Sequence, residues 1–156
     1  MGQNTHLRGL GKQSFKSRDE EEVAGYADTL NQIYGSWEQI PLTENYIKQL
    51  HGMVLKHSSK DQRHLGEYKK APNNVVAMDP DGKVVGVIFE TATPFDTPRK
   101  MAELVESTRQ ELESKEHHPL LVIGDFVVRF LAIHPFQDGN GRLSRVRVVE
   151  NNKVIS

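Results

Sequence analysis

The run from Leu120 through Ile133, LLVIGDFVVRFLAI, is apolar almost all round and is interrupted only by Gly124, Asp125 and Arg129. It falls short of the ~20 apolar residues that a membrane span needs. A helix apolar on every side is stable in water only as the buried centre of a helical body, and its β-branched content yields to that context. The remainder of the 156 residues must therefore supply covering helices, within the size of one ordinary domain.

Those helices are legible from their starts and periods. Ser17 followed by Glu20 matches a capping box, and Val23, Tyr26, Ala27, Leu30 and Tyr34 recur at helical spacing, which predicts a helix from Arg18 to Tyr34 ended by Gly35. Pro41 sits just inside a second pattern carrying Leu42, Tyr46, Ile47, Leu50, Met53, Val54 and Leu55, and ending near His57. Thr97-Pro98 opens a third, with Met101, Leu104, Val105, Thr108 and Leu112 on its dry side; it stops before His117, and Pro119 opens the apolar helix. The stretch from Ser58 to Asn74 lacks a sustained period and reads as a loop.

One sheet element interrupts this helical plan. Val75 to Met78 and Lys83 to Phe89 are β-rich and flank Asp79-Pro80-Asp81-Gly82, where Pro80 and Gly82 suit a tight turn. The result is a hairpin. A two-stranded ribbon is marginal alone in water, so it is expected to lie on the helical body or on something that body binds. The fold class is thus mainly α, a bundle with one β-hairpin.

Composition removes several functions. The chain has no cysteine, which excludes disulfides, thiolate metal sites and thiol nucleophiles. Its 20 Lys+Arg nearly balance 21 Asp+Glu for a net charge of −1, so nucleic acid is not expected as a partner. The polar amino terminus has no apolar leader core, and His6 stands where a myristoylation signal has Ser or Thr; a cytoplasmic protein without membrane contact is the expectation.

The chemistry-bearing residues are concentrated in His134 to Arg145, HPFQDGNGRLSR. An imidazole at the end of the most apolar helix is rigidly placed and near neutral pH can accept a hydroxyl proton. Phe136 is an apolar anchor for the loop. Gly139, Asn140 and Gly141 tolerate a curled backbone whose N–H groups form an anion nest, reinforced if a helix begins there. Asp138 is a hard oxygen ligand suited to Mg²⁺ together with substrate phosphates. Arg142 and Arg145 lie three apart and can grip a polyphosphate. Taken singly, each has a bland reading: a histidine after an apolar helix is usually a cap, and a glycine-rich turn usually only turns. The conjunction points to phosphoryl or nucleotidyl transfer.

HPFQDGNGRLSR resembles the signature of the Fic family, HxFx[DE]GNGRxxR, at every fixed position, and FETATPFDTPRKMAELV after the hairpin is similar to that family's flap and the connection into its next helix. The resemblance spans roughly Glu20 to Arg145. It implies a Fic-like helical bundle with a β-hairpin flap beside the active-site loop, and a protein adenylyltransferase that moves AMP from ATP, with Mg²⁺, to a Ser, Thr or Tyr hydroxyl of a target protein. By position it makes His134 the base, Asp138 the metal ligand, Gly139, Asn140 and Gly141 the anion hole, and Arg142 and Arg145 the grip on the outer phosphates. The ribbon near residues 75–89 would align the target by strand addition. Dimerisation is left open.

Two departures shape the expectation. Many members carry an inhibitory [ST]xxxE[GN] motif, but in Asn4-Thr5-His6-Leu7-Arg8-Gly9 the Glu position holds Arg8, and Ser17 to Glu21 is followed by Glu22 in place of Gly or Asn. Residues 1–17 are then an N-terminal segment with a degenerate inhibitory region, and no working brake is expected. Residues 18–156 are expected to be a Fic-like domain that looks cut short after the motif, because VRVVENNKVIS stands where the family has a long apolar helix. The alternative function is accordingly a truncated, catalytically weak nucleotide-binding or interaction module. His51, His57 and His64 lack metal-ligand spacing and read as solvated, His117-His118 reads as a loop pair, and Trp37 reads as core or an inter-helix anchor.

Overall fold

Ser17 begins the first helix as its spacing to Glu20 predicts, its hydroxyl accepting the Glu20 N–H at 3.3 Å. The structure, a computed structural model, describes residues 17–36, 41–60 and 62–145. In order these form α1 (Arg18–Ser36), α2 (Glu44–Val54), β1 (Val75–Met78), β2 (Val84–Phe89), α3 (Thr97–Ser114), α4 (Pro119–Ile133) and the helical residues 140–145, here α5. The segments holding Arg8, Trp37 and the carboxyl-terminal VRVVENNKVIS, on which expectations were stated above, lie outside the described residues.

The body is a helical bundle in which α1 packs on α2, α3 on α4, and α2 touches α3. Its core unites Ile47, Leu50 and Val54 of α2, Met101, Leu104 and Val105 of α3, and Phe126, Phe130 and Ile133 of α4 with Phe136 and Leu143 from the motif. Gly25 lets α1 approach α2, since an added Cβ would collide with the Val54 carbonyl.

Three expectations are corrected. The second helix starts at Glu44 rather than beside Pro41, because the Thr43 side chain, in extended backbone, accepts the Tyr46 N–H at 3.1 Å and supplies the stronger start signal. Val23 is 69% exposed, and α1 instead turns Ala24 and Thr29 inward. The apolar helix α4 is not covered all round: Val122, Ile123, Phe126, Phe130 and Ile133 are buried, whereas Leu121 and Val128 are 69% and 67% exposed. Apolar character sets what a helix can bury, and the neighbours present decide which face is buried. His118 caps α4 by accepting the Leu120 N–H at 3.2 Å on Nδ1, giving the loop pair a local role.

β1 and β2 form the antiparallel hairpin, with Val76 opposite Val87 and Met78 opposite Val84. Its turn closes as Pro80 and Gly82 predict: Gly82 N–H donates to the Asp79 carbonyl at 2.9 Å, and Gly82 has φ +80°. All six residues of β2 are exposed. The ribbon therefore stands away from the helices and offers both apolar faces to solvent, including Val85, Val87 and Ile88.

Candidate functional site

At the end of α4 the chain reverses through His134, whose φ of 53° and ψ of 59° are left-handed. Its N–H donates to the Phe130 carbonyl at 2.9 Å, which ties this turn to the helix. The ring Nδ1 lies 3.1 Å from the Leu131 carbonyl. A carbonyl can only accept, so Nδ1 carries a proton in this contact, and in the neutral ring Nε2 is the nitrogen with the lone pair. Among the described residues Nε2 has no hydrogen-bond partner.

Phe136 anchors the loop as expected and is fully buried. Asn140 holds it there, its Oδ1 accepting the Phe136 N–H at 2.9 Å and its Nδ2 donating to the Phe136 carbonyl at 2.7 Å. The Asn140 side chain is thus spent on the loop, and only its main-chain amide is left for a ligand. Gly139 has φ +83°, which L side chains rarely adopt.

His51 corrects the sequence reading most sharply. It is fully buried rather than solvated, and its ring stacks on Phe136 with centroids 3.9 Å apart. Nδ1 accepts the Gly66 N–H at 3.0 Å, so Nε2 carries the proton and donates to the Asp138 carbonyl at 2.9 Å. His51 therefore pins the main chain of the proposed metal ligand. Leu50-His51 in a helical stripe gave one weak signal, since i, i+4 spacing from Ile47 puts His51 on the apolar side. Tyr68 completes the wall 5.6 Å from Phe136; burial and the Glu44 carboxylate, which accepts its hydroxyl at 2.6 Å, push the phenol far above its ordinary pKa. His57 pairs with Asp28 at 2.8 Å, and His64 is exposed.

α5 starts where an anion nest requires. Leu143 N–H donates to the Gly139 carbonyl at 2.9 Å as the first turn, so the amides of Asn140, Gly141 and Arg142 precede any intrahelical acceptor. The Gly139 amide is engaged by Asp138 Oδ1 at 2.6 Å and is not offered. Arg142 and Arg145 both lie on α5 but differ in setting. The Arg142 side chain is 13% exposed, and its buried Nη1 makes no hydrogen bond among the described residues. Arg145 is exposed, with Nη1 reaching over Gly141.

Asp138 faces outward, and both its oxygens are engaged. Oδ2 pairs with Arg18 Nη2 of α1 at 2.9 Å, and Oδ1 lies 3.4 Å from Arg142 Nη2. Glu22, one turn after Arg18, pairs with it at 3.0 Å and lies 3.6 Å from Arg142 Nη1. Glu21, the acidic residue of the Ser17 to Glu21 match, instead accepts the Ser59 N–H at 3.1 Å. Among the described residues no group of three or more His, Asp and Glu converges as a metal cage. Asp138, beside the first amides of α5, is the residue here that could hold Mg²⁺, which binds through one or two carboxylates and the substrate's own oxygens.

The same fold recurs among known proteins. The model of the Fic/DOC family matches residues 41–149. A Fic domain containing signaling protein from Bacteroides thetaiotaomicron VPI-5482 is similar at a TM-score of 0.71 and 31% identity, with 91% of this chain and 52% of that chain covered. A Fic family protein from Desulfovibrio desulfuricans G20 shares the fold at a TM-score of 0.61 and 23% identity, over 94% of this chain and 40% of that one. The chain thus spans about half the length of the first and less of the second. No curated protein matches it.

Proposed function

Because the chain belongs to the Fic/DOC family, we propose that it is a nucleotidyltransferase of the protein adenylyltransferase type, moving AMP from ATP to a Ser, Thr or Tyr hydroxyl of a target protein. The observation that carries this reading is the His134 imidazole, whose Nδ1–H is held by the Leu131 carbonyl at 3.1 Å so that Nε2 is the atom able to take a proton. The amides at the start of α5 and the buried guanidinium of Arg142, whose Nη1 makes no hydrogen bond among the described residues, support a phosphate seat beside it.

In this reaction the target hydroxyl oxygen attacks the α-phosphorus, its proton passes to His134 Nε2, and the bond to the bridging oxygen breaks so that pyrophosphate leaves. Gly141 and the amides around it would orient the phosphates, while Arg142 and Arg145 would offset charge on the departing group. Asp138 would hold Mg²⁺, which when bound neutralises the polyphosphate. The Arg18 pair stands in the way, yet with side chains 53% and 41% exposed it belongs to a class worth about 0–1 kcal/mol and yields readily to a divalent ion. The flap would present the target segment by strand addition along its exposed edge.

Incubation with Mg²⁺ and α-labelled ATP, alone and with cell extract, tests the reading against His134→Ala. Label on protein that survives denaturation and disappears in the variant is the expected result. A second reading, a module that binds nucleotide without turnover, is favoured by the engagement of both Asp138 oxygens; it predicts nucleotide affinity with no covalent label.

A further inference from the structure

Four successive carbonyls around the proposed base are taken up by two residues of the loop before the hairpin. Lys69 Nζ donates to the Ile133 carbonyl at 3.0 Å and its main-chain N–H to the Pro135 carbonyl at 2.8 Å. Asn73 Nδ2 donates to the His134 carbonyl at 3.0 Å and to the Phe136 carbonyl at 2.7 Å. The two residues thus alternate along the chain, with His134 bracketed on both sides. Lys69 is 4% exposed, an unusual place for an ammonium that pairs with no carboxylate among the described residues.

The orientation of Asn73 is itself determined. Its Oδ1 accepts from Lys69 Nζ at 2.7 Å and from the Thr91 hydroxyl at 2.9 Å. An ammonium can only donate, so the amide cannot flip and Nδ2 must face the loop. Lys69 also donates to Thr91 Oγ1 at 3.1 Å, and Thr91 N–H donates to Asn74 Oδ1 at 3.0 Å. Asn73 and Asn74 immediately precede β1, and Thr91 follows β2 by two residues. One polar node therefore bolts the root of the hairpin to the main chain of His134.

That main chain needs holding. A non-glycine residue in the left-handed region costs on the order of 1–3 kcal/mol and persists only when its surroundings over-determine it. We infer that Lys69 and Asn73 are positioning residues: they lock His134 in its left-handed turn, thereby fixing the Nδ1–H tautomer, and they set the distance between that imidazole and the hairpin where a target would dock. The inference rests on the transferase reading for its consequence, but the lock on His134 is a physical statement testable without turnover.

The test uses the whole chain and the near-isosteric Asn73→Asp, which keeps the acceptor for Lys69 and removes both donors to the loop. Thr91→Val, which deletes only the hydroxyl at the node, serves as the milder second variant. Imidazole ¹⁵N shifts of His134 report the tautomer directly. The wild type is expected in the Nδ1–H form and Asn73→Asp as a mixture, because an unrestrained imidazole populates both. Label transfer from α-labelled ATP should fall about a hundredfold in Asn73→Asp, the scale of a 1 Å misplacement, with nucleotide affinity within about twofold of wild type. An unchanged His134 tautomer in both variants overturns the inference whatever the transfer rate. A wild type that transfers no label, beside a tautomer that shifts in Asn73→Asp, would sink the transferase reading and leave the positioning role standing.

Discussion

His51 lies flat against Phe136, the ring planes within 9° of parallel, while its two nitrogens bridge Gly66 and the carbonyl of Asp138. One buried side chain thus supports both the apolar anchor and the polar turn of the candidate site. His51→Ala would leave the Gly66 N–H and the Asp138 carbonyl without this partner, a cost of about 1–3 kcal/mol for each buried group, and would open a cavity beside Phe136. Denaturant unfolding should register a loss of about 3 kcal/mol in all. A loss under about 1 kcal/mol would mean that the stack is incidental.

Arg18 and Glu22 lie across Asp138 and Arg142 from α1. Removing Arg18 frees a carboxylate for Mg²⁺, so Arg18→Ala is expected to tighten Mg²⁺-nucleotide binding by about fivefold at most, in line with the small worth of an exposed pair. Calorimetric titration in the presence and absence of Mg²⁺ checks it. Weaker binding in the variant would identify Arg18 as a ligand-side cation instead.

Burial, assisted by the like charge of Lys100, pulls the Lys69 ammonium from its ordinary value near 10.5 down to about 8. Between those pH values the unfolded chain keeps a proton that the folded chain has released, so this group's contribution to stability rises with pH across the window and is lost as pH falls through about 8. The stability of the wild type relative to Lys69→Met should therefore climb between about pH 8 and 10 and be flat below. Denaturant midpoints for the pair along that range are the measurement, and a flat or falling difference contradicts the shift.

The exposed faces of β2 carry Val85, Val87 and Ile88, with no helix against them among the described residues. Replacing Val87 or Ile88 by Ser should leave folding and nucleotide affinity near wild type. Each lost cross-strand contact is worth about 0.2–1 kcal/mol, so kcat/KM for label transfer to a protein acceptor should fall severalfold while modification of a free hydroxyl compound does not. Equal loss for both acceptors would remove the hairpin from target recognition.

The sequence by itself determined what short-range physics can specify. Ser17 and Glu20 placed the start of α1, Pro98 and Pro119 the starts of α3 and α4, and Pro80 with Gly82 the hairpin turn. The twelve-residue motif concentrated base, carboxylate, glycines and arginines in one place because they are neighbours along the chain. Thr43 outcompeted Pro41 as a start signal within the same few residues, a choice between two local chemistries. What tertiary structure alone decided involves partners far apart in the chain. His51 meets Asp138 across 87 residues, Lys69 meets Ile133 across 64, and Arg18 meets Asp138 across 120. No periodicity in the loop from Ser58 to Asn74 distinguishes Lys69 from its exposed neighbour Lys70, because whether an ammonium is buried depends on which carbonyls the fold brings around it. The exposed side of α4 follows the same logic, since periodicity counts apolar residues and packing chooses which of them to cover.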